Sequence, residues 1–266
     1  MGEISYRPLI EDMVWSYSRI DTYKDCPHRF YLKYIKEYEE EDMFYASFGK
    51  FMHGILEDFY LGNISKDDAK QRFLTDFKTE VKGFRPKEET VARYIEDGYE
   101  YLKNLAPLPF NMIAVEKRVN FTVGENKFCG VIDYIGEKDG KIYIVDNKSR
   151  RLKPRSNRAK PTQNDMEIDD MLKQLYLYSV AVEQEYGQTP EALCFNCFLN
   201  GEFIKEQFYT QKYEEVKQWA IDTIEEIKND EDFNPNESFF SCNYICGLNL
   251  KCIHNISRKE SGLTRF

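Results

Sequence analysis

Apolar residues recur along the first hundred positions at three- and four-residue intervals, the period of amphipathic helices. Within 16–38 they fall at Ile20, Tyr23, Phe30, Tyr31, Tyr34 and Ile35, with Ser16 or Ser18 placed as an N-cap and Cys26-Pro27 as punctuation between two helical stretches. Residues 46–60 (ASFGKFMHGILEDFY), 65–82 and 87–105 repeat the helical pattern, the last closed by Pro107 and Pro109. At Asn111 the period drops to two. The runs 113–123, 127–137 and 141–148 are rich in Val, Ile, Phe and Tyr and predict a three-stranded antiparallel meander. A long helix over 165–186, a strand over 192–199, a candidate strand over 203–209 and a helix over 213–228 complete the order, and from Phe233 the chain reads as loop. No internal repeat or low-complexity tract interrupts it.

The turn between the second and third strands carries the most chemistry. Lys138-Asp139-Gly140-Lys141 contains Asp-Gly, a strong signal for a two-residue type I′ hairpin. A loop at 139 and 140 pairs Lys138 with Lys141 and, counting back along both strands, sets Asp133 opposite Asp146. Like charges directly opposite are destabilising, and Asp is depleted in strands. The pairing makes physical sense if a cation lies between the two carboxylates. Lys148 follows Asp146 by two, so strand periodicity sends its ammonium to the same face. Oxygen ligands suit Mg²⁺ or Mn²⁺, and a neighbouring ammonium stabilises charge that grows on a phosphate; hydrolysis of a phosphodiester is the natural reaction. The bland reading of the same residues is two solvated strand aspartates with a lysine partner.

Composition narrows the class. The 266 residues, 42% hydrophobic and 31% charged, allow a sizeable core and exclude global disorder. A net charge of −9 works against nucleic acid in the mean. Locally it reverses: Lys148, Arg150, Arg151, Lys153, Arg155, Arg158 and Lys160 fall in thirteen residues that contain no acid. That run reads as a loop guiding a phosphate backbone toward the metal, against the plainer reading of a solvated basic loop. Without an apolar stretch of membrane-spanning length or a signal-peptide pattern at the N-terminus, a soluble, cytoplasmic protein is expected. Seven cysteines are an odd number in a chain too long to need staples, so metal binding or plain burial is preferred over disulfides.

Gly130-Val131-Ile132-Asp133 followed by Ile144-Val145-Asp146-Asn147-Lys148-Ser149 resembles the paired motif of the PD-(D/E)XK nuclease superfamily, in its RecB-like branch. Gly49-x3-His53-x3-Glu57 is similar to that branch's first motif, Gln174-x3-Tyr178 to its QxxxY motif, and Glu116 to the acid on its first strand. The opening from Ser16 through Cys26-Pro27 to Phe30 resembles the N-terminus of the same proteins, so the likeness runs from about 16 to 252. It implies a single α/β domain over 1–266 with a restriction-endonuclease-like core: a mixed sheet with an antiparallel catalytic hairpin flanked by helices. Within it, 1–110 would be a helical N-terminal elaboration, 111–230 the catalytic core and 231–266 a cysteine-bearing segment.

The same resemblance implies the roles. His53, Asp133, Asp146 and the carbonyl of Asn147 would hold Mg²⁺ or Mn²⁺, Lys148 would position the attacking water, and Glu116 would support a water at the metal. Gln174 and Tyr178 would grip a DNA strand, with Arg150, Arg151, Lys153 and Arg155 guiding it. The implied activity is an exonuclease on single-stranded DNA ends that leaves a 5′-phosphate, in recombination, repair, phage DNA metabolism or CRISPR adaptation. Asn147 departs from the aromatic residue usual at its position, which leaves its substrate contact open.

Cys242-x3-Cys246-x5-Cys252, with Cys26 far upstream, is similar to the arrangement in RecB-like nucleases that carry a [4Fe-4S] cluster, among them AddB-type recombination nucleases and the fourth family of CRISPR-associated proteins. The family spacing has two residues where this chain has three between Cys242 and Cys246, and tetrahedral zinc or plain burial are the competing readings. Cys194, Cys197 and Cys129 are set aside, the first two because a strand points them to opposite faces. An endonuclease or flap nuclease working with a helicase, integrase or recombination protein, and an inactive DNA-binding scaffold, stand as alternatives. The sequence leaves the oligomeric state open.

Overall fold

Residues 5–255 are described in a computed structural model of the chain, so the end of the cysteine-bearing segment, 256–266, lies outside the described residues. A helical half comes first. Helix α1 (Arg7–Ile10), α2 (Tyr17–Asp25) and α3 (Pro27–Phe30) lead into a π-helical turn at Tyr31–Ile35. Ser16 caps α2 through its side chain, and the extended backbone of Cys26 breaks the chain between α2 and α3, where the sequence places its punctuation. The longer α4 (Phe44–Tyr60), α5 (Lys66–Glu80) and α6 (Glu88–Lys103) follow. Phe44, Phe48, Phe51, Met52, Ile55 and Leu56 of α4 bury one face in a core shared with Phe73 and Phe77 of α5 and Leu102 of α6.

The sheet has five strands in the order β1-β2-β3-β4-β5. The meander β1 (Asn111–Val123), β2 (Asn126–Lys138) and β3 (Lys141–Lys148) is antiparallel as the alternation predicts. Asp139 and Gly140 both carry positive φ, 54° and 78°, as a type I′ turn requires. The register follows from the turn: Lys138 pairs with Lys141, Ile135 with Ile144 and Tyr134 with Val145. From β3 the chain crosses over through α7 (Gln163–Tyr186) to β4 (Ala192–Cys197), which runs parallel to β3, and β5 (Glu202–Gln207) closes the edge antiparallel before α8 (Thr210–Asn229). A mixed sheet flanked by helices is the architecture the sequence predicts. Ile142 and Ile144 pack toward the core built with α7 and α8, whereas Tyr143 and Val145 point the other way. The β3–β4 strand pair is buried along nearly its whole length, which is why both strands read as apolar runs. No helix among the described residues is long and apolar enough to cross a membrane.

One device ties the basic loop down. Thr162 and Asp165 form a capping box at the start of α7. The same Asp165 carboxylate accepts bonds from the N–H and hydroxyl of Ser156 at 2.9 and 2.6 Å and from the N–H and hydroxyl of Thr162, both at 2.7 Å. These donors hold the Asp165 carboxyl well below the usual carboxylate range. A depressed folded-state pKa contributes stability that is present above the unfolded value near 4 and lost as pH falls toward the folded one. Asp165→Asn therefore lowers the urea midpoint relative to the unaltered protein at pH 6, and the gap narrows between pH 5 and pH 3. A gap that stays constant across that range would show that the carboxylate charge is not what holds the loop.

Candidate active site

Past the Tyr134–Val145 pair the β2–β3 ladder opens, while β2 stays paired with β1 and β3 with β4. The Asn147 N–H in that opening donates to a side chain, Asp133 Oδ2, at 2.7 Å. One step beyond the last pair, the register sets Asp133 across from Asp146. On the other side of β2, Val115 pairs with Tyr134 and Lys117 with Ile132, so Glu116 falls opposite Asp133. Three acids thus form a row across three adjacent strands. Glu116 has a φ of 45° in mid-strand, a left-handed conformation that costs a non-glycine residue about 1 kcal/mol or more.

Helix α4 brings His53 over this row. Its Nε2–H donates to the Asn147 carbonyl at 2.9 Å, and its Nδ1 lies 3.5 Å from both Glu116 Oε1 and Asp133 Oδ2. His53, Glu116 and Asp133 each present one ligand atom, all within 4.8 Å of one another. Burial pulls the His53 pKa down, but the Glu116 hydrogen bond and the charges of Asp133 and Asp146 outweigh it and carry it up to about 9. Burial and the nearby Asp146 charge raise Asp133 against the pull of His53. These are the marks of negative charge crowded into a low-dielectric space.

Lys148 completes the cluster. Its Nζ lies 2.8 Å from Asp146 Oδ2 but is not aligned as a donor to it, so that buried oxygen has no hydrogen bond among the described residues. The ammonium donates instead to Gln174 Oε1 at 2.9 Å, and Gln174 Nε2 donates to the Tyr178 hydroxyl at 3.3 Å. Tyr178 is buried, which pushes its phenol up to about 12, and its ring lies against Gly130, where a Cβ would come within 2.6 Å of Cε1. Gly130 is thereby accounted for: a side chain there would expel the tyrosine that backs the Gln174–Lys148 relay. A buried carboxylate oxygen met by the Lys148 ammonium alone, a backbone carbonyl, further carboxylates and a single imidazole fit a hard divalent cation.

Behind the site lies a polar network that sequence reasoning missed. Asn196 Nδ2 donates to Asn147 Oδ1 at 2.7 Å and to the Tyr60 hydroxyl at 3.2 Å, and its Oδ1 accepts from the Tyr101 hydroxyl at 3.1 Å. Asn147 and Asn196 are register partners on parallel strands, both buried. The side chain of Asn147 thus faces inward and is fixed, which also fixes the peptide whose carbonyl meets His53. A detectable signal was present: Asn196 is the one polar residue in the apolar run Leu193 to Leu199.

The remaining candidates divide. Arg150 is exposed, with Glu167 at 3.7 Å, and Lys153 has an exposed side chain. Arg151 pairs with Asp97 and lies over the Tyr94 ring. Arg155 bonds Glu206 at 2.6 Å and Asp169 at 2.8 Å, a clamp between the loop, β5 and α7. Cys26, Cys242, Cys246 and Cys252 line a separate cavity of about 50 Å3, several times the roughly 10–15 Å3 that a water needs. The Asn236 N–H donates to Cys26 Sγ at 3.4 Å, and burial pushes the Cys246 thiol up.

Replacing Asn196 with Leu strands the Asn147 amide oxygen, at about 1–3 kcal/mol for a buried group left unpaired, and leaves the Tyr60 and Tyr101 hydroxyls only each other as partners. Urea unfolding of Asn196→Leu should show a loss of at least about 2 kcal/mol, and Tyr101→Phe a smaller one. A Leu variant as stable as the unaltered protein would show that the network is slack.

No curated protein matches the chain. Among solved structures, that of a "Putative exonuclease" from Eubacterium rectale aligns at 15% identity and a TM-score of 0.46, covering 89% of this chain and 90% of that one. The crystal structure of SSO0001 aligns at 15% identity and a TM-score of 0.33, covering 78% of this chain and 96% of that one. The model of one family, the PD-(D/E)XK nuclease superfamily, matches residues 14–252. That match takes in both halves of the molecule and every residue of the carboxylate row, and the chain belongs to the PD-(D/E)XK nuclease superfamily.

Proposed function

We propose that the protein is a divalent-metal-dependent deoxyribonuclease, acting as an exonuclease on single-stranded DNA ends. The observation that carries this reading is the convergence of Glu116, Asp133 and Asp146 from adjacent strands beneath His53, with Lys148 beside Asp146 Oδ2, the one buried side-chain oxygen among the described residues that lacks a hydrogen bond. His53, Asp133, Asp146 and the Asn147 carbonyl would hold the cation, with Glu116 facing the same space. When bound, Mg²⁺ or Mn²⁺ supplies polarisation of the scissile phosphoryl group and acidification of a water. Lys148, held by Gln174, offsets negative charge as it grows on the phosphoryl oxygens and orients the attacking water. The water oxygen bonds to phosphorus, the bond from phosphorus to the 3′ oxygen breaks, and the product keeps a 5′-phosphate. Gln174 and Tyr178 act here as positioning residues behind Lys148, and Arg150 and Lys153 are the cations of the loop best exposed to a phosphate backbone.

With end-labelled single strands and Mn²⁺, the unaltered protein should shorten the substrate, and Asp146→Ala should slow it by about 100-fold or more. Equal degradation by both proteins rejects the assignment. Circular single strands should resist; their cleavage would replace exonuclease with endonuclease action.

We further infer that Cys26, Cys242, Cys246 and Cys252 hold a [4Fe-4S] cluster that staples the C-terminal segment to the N-terminal helices. Their shared cavity supports this. Protein purified without oxygen should be brown, with broad visible absorption that Cys246→Ala removes. Colourless protein carrying stoichiometric zinc would overturn the cluster.

A further inference from the structure

Beside the carboxylate row lies a second cleft of about 360 Å3, a size typical of ligand sites. Its walls come from four stretches distant in sequence: Tyr45 on α4, Arg93 and Tyr94 on α6, Ser149 to Arg151 after β3, and Phe240 with Tyr244 from the cysteine-bearing segment. Two properties set it apart. Three of its lining residues are arginines and none is an acid, in a chain of net charge −9. Arg93 is exposed and has no ion pair among the described residues, and Arg150 has only the 3.7 Å approach of Glu167.

The aromatic rings form a continuous row. Tyr94 and Tyr45 lie 5.5 Å apart, Tyr45 and Phe240 6.4 Å, Phe240 and Tyr244 5.5 Å, and Tyr244 and Phe84 5.9 Å. Phe240 and Phe84 are 55% and 57% exposed, a large apolar surface to leave against water. Guanidinium groups next to open ring faces match a ligand that carries phosphates and unstacked bases together. A duplex hides its base faces, and an apolar peptide has no use for the arginines. A single strand satisfies both.

Position gives the cleft its role. Ser149, which follows Lys148, lines it, and the Ser149 hydroxyl approaches α4 at Gly49, 3.6 Å from where a Cβ would sit. Tyr45 and His53 lie on the same helix, eight residues and so about 12 Å apart. That is a few nucleotides of strand at about 3.4 Å each when stacked.

We propose that this cleft binds the bases of single-stranded DNA a few nucleotides from the scissile bond. Tyr45, Phe240 and Tyr244 stack on bases, and Arg93 and Arg150 take phosphates. The distance from a scissile bond rests on the nuclease reading; the existence of the site does not.

The test measures binding apart from cleavage. Fluorescence anisotropy of a labelled single-stranded DNA oligonucleotide is followed in the Asp146→Ala background, full-length and purified without oxygen, while cleavage is assayed separately with Asp146 intact. Phe240→Ala and Tyr45→Ala should each weaken single-strand binding about fivefold or more and leave duplex binding unchanged. Arg93→Ser, on an exposed helix position, should flatten the slope of log affinity against log salt by about 0.7. Lys141→Ala, at the far end of the β2–β3 hairpin, should leave the slope as it is. Unchanged binding in Phe240→Ala and an unchanged slope in Arg93→Ser overturn the cleft even if the unaltered protein cuts DNA. Equal losses on duplex, or losses on an RNA oligonucleotide alone, overturn its assignment to single-stranded DNA. Ring- and arginine-dependent binding without any cleavage by the unaltered protein would uphold the cleft and reject the nuclease reading.

Discussion

The repulsion among three carboxylates in a shielded space is the constraint to which the rest of the structure answers. Two unit charges about 5 Å apart repel by roughly 3 kcal/mol even at an effective dielectric near 20. The left-handed backbone at Glu116 adds about 1 kcal/mol or more. Such costs are a large fraction of the 5–15 kcal/mol that separates a folded domain from its unfolded chain. They persist because the acids sit on strands fixed from both sides: β2 by its ladder to β1, and β3 by its parallel pairing to β4 inside an apolar layer. His53, carried up to about 9, and the Lys148 ammonium offset part of this charge, and what remains is available to a cation.

The neighbouring residues share this task in two relays. On the α7 side, Gly130 admits Tyr178, Tyr178 backs Gln174, and Gln174 holds the Lys148 ammonium beside Asp146. On the α4 side, Tyr60 and Tyr101 fix Asn196, Asn196 fixes Asn147, and the Asn147 peptide offers its N–H to Asp133 and its carbonyl to His53. The second relay gives a physical account of Asn147, which stands where the resemblance to the RecB-like branch leads one to expect an aromatic residue. An aromatic side chain there has no amide to meet Asn196, so this chain holds the same peptide from behind by hydrogen bonds.

Much of this was legible in the sequence because it follows from local rules. The Asp-Gly turn sets the register of β2 against β3 by counting, and the change of period at Asn111 separates the helical half from the sheet. What was not legible depends on nonlocal approach. Gln174 and Tyr178 lie one helical turn apart, which says nothing of whether they face solvent or Lys148; burial of Tyr178 against Gly130 decides it. The seven cations from Lys148 to Lys160 look alike in sequence, yet Arg155 is held at 2.6 and 2.8 Å by Glu206 on the β5 edge and Asp169 on α7, while Arg150 stays exposed with Glu167 of α7 no nearer than 3.7 Å. The parallel pairing of β3 with β4, which makes Asn196 a partner of Asn147, needs the crossover through α7; the apolar runs mark both strands as buried but do not say which residue meets which.

The walls of the second cleft explain why the helical half and the cysteine-bearing segment belong to one machine. Neither supplies a residue to the carboxylate row except His53, yet α4 and α6 present Tyr45, Arg93 and Tyr94, and the segment around Cys242 and Cys246 presents Phe240 and Tyr244 to the same space. The backbone joins them as well: the Glu41 N–H donates to the Gly247 carbonyl at 2.8 Å, and a Cβ on Gly247 would strike the Glu41 carbonyl oxygen at 2.4 Å. A chain that is acidic overall gathers arginines and rings at one cleft only by bringing distant segments together there. Whatever anchors the C-terminal segment therefore also sets the far wall of that cleft.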